Sequence, residues 1–105
     1  MPISKVEFLQ DAVDDLEELV EYIAKDNVTE AEKMYKRVID HAQELKDFPR
    51  RGMPVPDEKM KKSGWRMLFV PPYVLFYRII DDCVVIYRIL HGASNYPALY
   101  DKFNQ

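Results

Sequence analysis

Residues 64–97 read GWRMLFVPPYVLFYRIIDDCVVIYRILHGASNYP, and this stretch decides the fold. Val, Ile, Phe, Tyr and Trp crowd it, the residue types that suit a pleated, half-buried surface. Pro71-Pro72 cannot sit inside a central strand, and Asp81-Asp82 suits a tight turn. The spacing predicts three consecutive strands, 65–70, 73–80 and 83–90, joined by two-residue hairpins. Runs of this length, rich in β-branched residues, favour strands over a buried helix.

Hairpins of that kind fix the register. Val70 then opposes Tyr73, Arg66 opposes Tyr77, Ile80 opposes Cys83 and Leu75 opposes Arg88. One face collects Arg66, Leu68, Tyr73, Leu75, Tyr77, Val84, Ile86 and Arg88. The other collects Trp65, Met67, Phe69, Val74, Phe76, Arg78, Val85, Tyr87, Ile89 and His91. Both faces carry apolar bulk and arginine, so alternation does not say which one is covered. The simplest place for the arginines is near strand ends, stems on the sheet and heads in water.

Upstream, residues 3–8 alternate, with Val6 and Phe8 on one side, which predicts a short strand at an edge of the same sheet. Asp11 is the expected N-cap of a first helix whose apolar face is Ala12, Leu16, Leu19, Val20 and Ile23. Thr29-Glu30-Ala31-Glu32 has the pattern of a capping box. A second helix follows, with a stripe of Ala31, Met34, Tyr35, Val38, Ile39, Ala42, Leu45 and Phe48, ended by Pro49. Residues 50–63, with two prolines and five bases, read as a partly mobile loop. Residues 98–103 read as a short C-terminal helical turn. The expected class is α+β in one domain over 1–105: an N-terminal strand, then an antiparallel helical hairpin packed on a mainly antiparallel sheet.

Charge is unevenly spread. The net charge of −3 hides ten acids against two bases in residues 1–32 and thirteen bases against eight acids in residues 33–105. The basic excess peaks at 46–66, with seven bases and three acids. Such a balance argues against a general nucleic-acid binder and suits a protein partner with its own charge pattern. The single cysteine, Cys83, excludes an intrachain disulfide and fits a reducing, cytoplasmic setting. No apolar run reaches membrane-spanning length, and no signal peptide is visible.

Little chemistry stands out. Two histidines and one cysteine make no metal cluster, and no phosphate-cradling glycine loop or nucleophile motif is present, so no cofactor is expected. What remains is a group able to move protons and hold phosphate: Arg66, Tyr77, Arg88, His91 and Tyr100. Those residue types could cleave RNA, where a 2′-hydroxyl loses a proton and a phosphorane is stabilised.

The order of elements, with Ala12-x-x-Asp15-Leu16, Tyr22-Ile23-Ala24, Phe48-Pro49-x-x-Gly52, Arg66, the block Tyr73-Val74-Leu75-Phe76-Tyr77-Arg78, Ile89-Leu90-His91-Gly92 and Pro97-Ala98-Leu99-Tyr100, resembles the RelE/ParE toxin superfamily, in its ParE-like branch. The resemblance covers nearly the whole chain. It implies the toxin of a type II toxin–antitoxin (plasmid stabilisation) module, neutralised by a cognate antitoxin. ParE-like members are associated with blocking DNA gyrase, and RelE-like members cleave mRNA on the ribosome. RNA-cleaving relatives usually have arginine where Val74 stands, and often another just after the glycine of the last turn, here Ala93-Ser94-Asn95. Loss of two such cations would cost roughly 2.7–4 kcal/mol each in transition-state stabilisation. The departures favour a ParE-like gyrase inhibitor. A ribonuclease using Arg66, Arg88, His91 and Tyr100 and a non-toxic antitoxin-binding module are the alternatives. Lys59, Lys61, Lys62, Arg66 and Arg78 are the expected partner-binding residues, facing acidic groups of the antitoxin. Homodimer and toxin–antitoxin hetero-oligomer both stay open.

Overall fold

The computed structural model describes residues 2–92. Five strands, β1 (Lys5–Phe8), β2 (Met53–Pro54), β3 (Arg66–Val70), β4 (Tyr73–Ile80) and β5 (Cys83–His91), form one sheet in the order β1-β5-β4-β3-β2. Three helices, α1 (Gln10–Ala24), α2 (Val28–Glu44) and α3 (Glu58–Lys62), complete it. β1 is the expected edge strand and pairs in parallel with β5; the other ladders are antiparallel. The expected C-terminal helical turn, and Tyr100 with it, lie outside the described residues.

Both hairpins form as the turn residues dictate, with Val70 opposite Tyr73 and Ile80 opposite Cys83. Asp81 takes a left-handed backbone (φ 55°) that a short polar side chain tolerates. The second hairpin departs from the expected register halfway along. Tyr77 opposes Ile86, but Phe76 opposes Arg88 and Leu75 opposes Ile89, so Tyr87 is the extra residue of a β-bulge. The expected Leu75–Arg88 pair is therefore absent, and Ile89 turns to the face first given to Leu75. The bulge serves contacts on two sides. It lets the Tyr87 ring meet Trp65 edge-on at 4.4 Å, and it brings Arg88 and the Ile89 N–H to Asp15 of α1.

Both sheet faces are apolar because both are covered. On one side α1 and α2 pack on Leu68, Val70, Tyr73, Leu75, Tyr77, Val84, Ile86 and Ile89. On the other, Val55 and Met60, each fully buried, lie with Trp65, Met67, Val74 and Phe76. Residues 50–63 are thus not a mobile loop. They supply β2, α3 and the hydrophobic lid of the second face, because Val55 and Met60 are apolar residues in an otherwise basic stretch.

The helix boundaries also differ from expectation. α1 begins at Gln10 after Leu9, without a side-chain cap, so Asp11 lies inside the first turn. α2 is capped by Asn27, whose side chain accepts from the Glu30 N–H, in place of Thr29. It ends at Glu44, and Phe48, expected on its buried stripe, is 58% exposed.

Candidate partner-binding surfaces

Arg66 and Tyr77 face each other across β3 and β4, and together they hold the chain that leaves α2. The Tyr77 hydroxyl donates to the Pro49 carbonyl at 2.8 Å and accepts from the Gly52 N–H at 3.0 Å. Arg66 Nη2 donates to the carbonyls of Arg50 and Gly52. Gly52 is required here: a Cβ would stand 2.6 Å from both the Met67 carbonyl oxygen and the Tyr77 hydroxyl. The Phe48-Pro49-x-x-Gly52 motif is therefore a clasp that hands the chain from α2 to β2.

Arg88 has a different role. Its Nε and Nη2 donate to the two oxygens of Asp15 at 2.7 and 2.9 Å, and one of those oxygens also accepts from the Ile89 N–H. That fork geometry is the strong form of a carboxylate–guanidinium contact. The Asp15 hydrogen bond, working against burial, raises the arginine pKa above its ordinary value. β1 pairs with β5 only as far as Ile86, and Asp15 continues the edge by satisfying Ile89.

Of the candidates for acid–base or phosphate chemistry, Arg88 and His91 line one recess, Arg66 lies apart from it, and Tyr100 is outside the described residues. Arg66 stands opposite Tyr77 and His91 opposite Tyr73, at the other end of β4 and two strands away. That is about 13 Å along the sheet and about 10 Å across it. His91 meets the Tyr73 ring edge-on at 6.2 Å and lines a shallow recess with Asp15, Glu18, Tyr22 and Arg88. Among the described residues no cluster could hold a metal ion.

Lys61 and Arg66 line one recess of about 420 Å³ with Arg50, Gly64 and Trp65. Arg78 lies over the Trp65 ring, 5.6 Å from its centroid. Lys59 and Lys62 are exposed on the same short α3. Arg50 was not among the expected residues; its position inside a clasped motif, beside the basic run, is the signal that points to it. A second surface lies on the helical hairpin, which the sequence offers to the antitoxin without naming residues: a groove of about 360 Å³ lined by Phe8, Val13, Leu16, Glu17, Val20, Glu21, Tyr35 and Ile39. Its signal is the width of the apolar stripes on both helices, which exceeds what one sheet face can cover.

The comparisons with known proteins agree with this geometry. A family described as "ParE toxin of type II toxin-antitoxin system, parDE" matches residues 6–96. The chain belongs to that family. This ParE-family chain is also 32% identical over 83 residues to Toxin RelE2 of Caulobacter vibrioides, covering 78% of this chain and 88% of the relative. Its fold resembles a structure titled as the chromosomal ParDE system from P. aeruginosa, with a TM-score of 0.71, 19% identity, and 87% and 98% of the two chains covered. It also resembles a structure titled as the RelBE2 toxin–antitoxin complex from Mycobacterium tuberculosis, with a TM-score of 0.63, 29% identity, and 87% and 99% covered. No helix among the described residues of this ParE-family toxin is long and apolar enough to cross a membrane.

Proposed function

We propose that this toxin arrests growth in the cytoplasm by binding DNA gyrase, without catalysis, and is neutralised by a cognate antitoxin in a hetero-oligomer. The observation that carries the non-catalytic reading is the commitment of its arginines. Arg88 is held by a carboxylate, and Arg66 by two main-chain carbonyls. A phosphate entering at Arg88 would have to displace Asp15 from a charge-assisted fork. Val74, where RNA-cleaving relatives carry arginine, is 4% exposed and packed in the second core. Support for the antitoxin comes from the likeness to two toxin–antitoxin structures. The cationic recess of Arg50, Lys61 and Arg66, with Lys59, Lys62 and Arg78 around it, offers a place for acidic antitoxin side chains.

A second reading, mRNA cleavage with Arg66, Arg88, His91 and Tyr100, is favoured by one observation: the curated relative at 32% identity is named RelE2. Inducible expression of the chain alone separates the two. The gyrase reading expects growth arrest, altered plasmid topology and intact mRNA, and loss of supercoiling when purified toxin is added to gyrase. New 5′ ends within translated codons would replace it with the ribonuclease. Absence of arrest would leave a non-toxic antitoxin-binding module.

A further inference from the structure

Elsewhere the fold gives its cations acid partners. Arg88 holds Asp15, Arg51 holds Glu44, Lys36 holds Asp40 and Lys33 meets Glu30. The recess at the β2/β3 edge departs from that habit. Arg50, Lys61 and Arg66 line it, and no acid does. They come from three places in the chain: the clasped turn after α2, α3 and β3. None of the three has a carboxylate partner among the described residues. Arg66 Nη2 is spent on the carbonyls of Arg50 and Gly52, and its Nε is buried without an acceptor among the described residues. Carbonyls orient a guanidinium but do not cancel its charge. Three like charges around one recess repel, so the empty recess carries an electrostatic cost.

We propose that this recess is a binding site for a phosphate dianion, taken free or as the phosphomonoester of a small molecule. Arg50 and Lys61 close on the ligand beside the fixed Arg66. The site goes beyond the gyrase and antitoxin readings and rests on neither. Charge argues for phosphate first. A carboxylate would bring one negative charge to three positive ones, whereas a phosphomonoester brings about 1.5 to 2. Shape argues the same way. Three acceptor oxygens on a tetrahedron can meet donors that arrive from three elements, while the two oxygens of a carboxylate lie in one plane. The recess, of about 420 Å³, leaves room beside the phosphate. Its other walls include Pro54, Ile79 and the buried Trp65, an apolar lining that suits a small organic group and not a second anion. Gly64, at φ 81°, keeps that wall open, since a Cβ there would meet nothing within 4 Å. A phosphate seated here would compete with acidic antitoxin side chains for the same cations.

The test uses the full chain without a partner. It is titrated at pH 8 with inorganic phosphate, sulfate and ribose 5-phosphate, at an ionic strength held constant with chloride. Emission of Trp65, the one tryptophan, and the melting temperature are followed. Phosphate and sulfate should give saturable responses and raise the melting temperature, as a ligand of the folded state must. Whichever of phosphate and ribose 5-phosphate binds more tightly identifies the carrier, and either order supports the site. Lys61→Gln and Arg50→Gln should each weaken binding on the order of tenfold. Without ligand, both variants should melt no lower than wild type, because each removes a repelling charge. Lys36→Gln, which deletes a cation elsewhere, should bind as wild type does. Arg66 is left in place because it holds the clasp. No saturable response from folded wild type would overturn the proposal. So would equal affinity in wild type, Lys61→Gln and Arg50→Gln. Neither result bears on whether an antitoxin binds this chain.

Discussion

Asp15 of α1 and Arg88 of β5 are joined by two hydrogen bonds, and the same carboxylate takes the Ile89 N–H at 2.9 Å. One side chain therefore fixes the helix on the sheet, neutralises a guanidinium and completes a strand edge. The side chains are 13% and 23% exposed, so removing one partner leaves a mostly desolvated charge. Asp15→Ala is expected to destabilise by about 3 kcal/mol, at the lower end for a broken buried pair because solvent still reaches Arg88. Urea denaturation measures it. The pKa of Arg88 is raised, so its share of this stability is present below the ordinary arginine pKa and is lost only as pH rises through a still higher value. The contribution should thus be the same at pH 6 and pH 9, and a difference larger than about 1 kcal/mol between those two would contradict this account.

The Tyr77–Gly52 clasp gives a second prediction. Tyr77→Phe removes the hydroxyl that serves the Pro49 carbonyl and the Gly52 N–H, at an expected cost of about 1–3 kcal/mol. Gly52→Ala forces a Cβ onto a backbone oxygen that cannot step aside, and should cost about 2–4 kcal/mol. In the double variant part of the clash is relieved, because the Tyr77 hydroxyl is one of the two atoms in the way. The costs should then sum to less than the single values, as chemical denaturation of all four proteins would report.

Much of this architecture was legible before the fold was seen. The turn pairs Pro71-Pro72 and Asp81-Asp82 set β4 to Tyr73–Ile80 and aligned the first hairpin throughout and the second as far as the bulge. The bulge at Tyr87 was not legible, since it arises from Trp65 and Asp15, which are remote in sequence. Periodicity also overran at Phe48, because three residues beyond Leu45 keep helical spacing although α2 has stopped at Glu44. The basic run 50–63 hid a lid, since composition reports surface charge while Val55 and Met60 alone decide burial. Of the site, Lys61 and Arg66 of the recess could be named from the sequence, whereas Arg50 was not. The acidic groove could not, since it depends on how far apart the two helices stand.

That lid yields a third prediction. Met60 is fully buried, and α3 is held at its start by Asp57, which accepts from the Met60 N–H at 3.1 Å. The surrounding Lys59, Lys61 and Lys62 are exposed trypsin sites on ordered backbone. Trypsin should cut the folded wild type there slowly. Met60→Ala is expected to cost about 2–4 kcal/mol and to speed cleavage at these lysines. The second core holds Trp65, so indole emission should shift to longer wavelength in parallel. Rapid cleavage of the wild type at Lys59, Lys61 or Lys62 would mean that the segment is not docked.

The last prediction concerns Cys83 at the start of β5. Burial first, and the Glu7 carboxylate second, push its thiol pKa above the ordinary value. The sulfur lies 3.8 Å from Glu7 Oε2 and 3.6 Å from the Val84 carbonyl oxygen. A thiol with a raised pKa keeps its proton in the folded state after the unfolded chain has lost its own. The stability it contributes is therefore complete below about pH 8.5 and falls as pH rises from there. Cys83→Ala should remove part of the alkaline decline while leaving the slope below pH 8 unchanged, as urea titrations across pH 7–10 would record. Thiol labelling of wild type at pH 8 should run at least about tenfold slower than for a free cysteine, because both burial and the scarcity of thiolate oppose it.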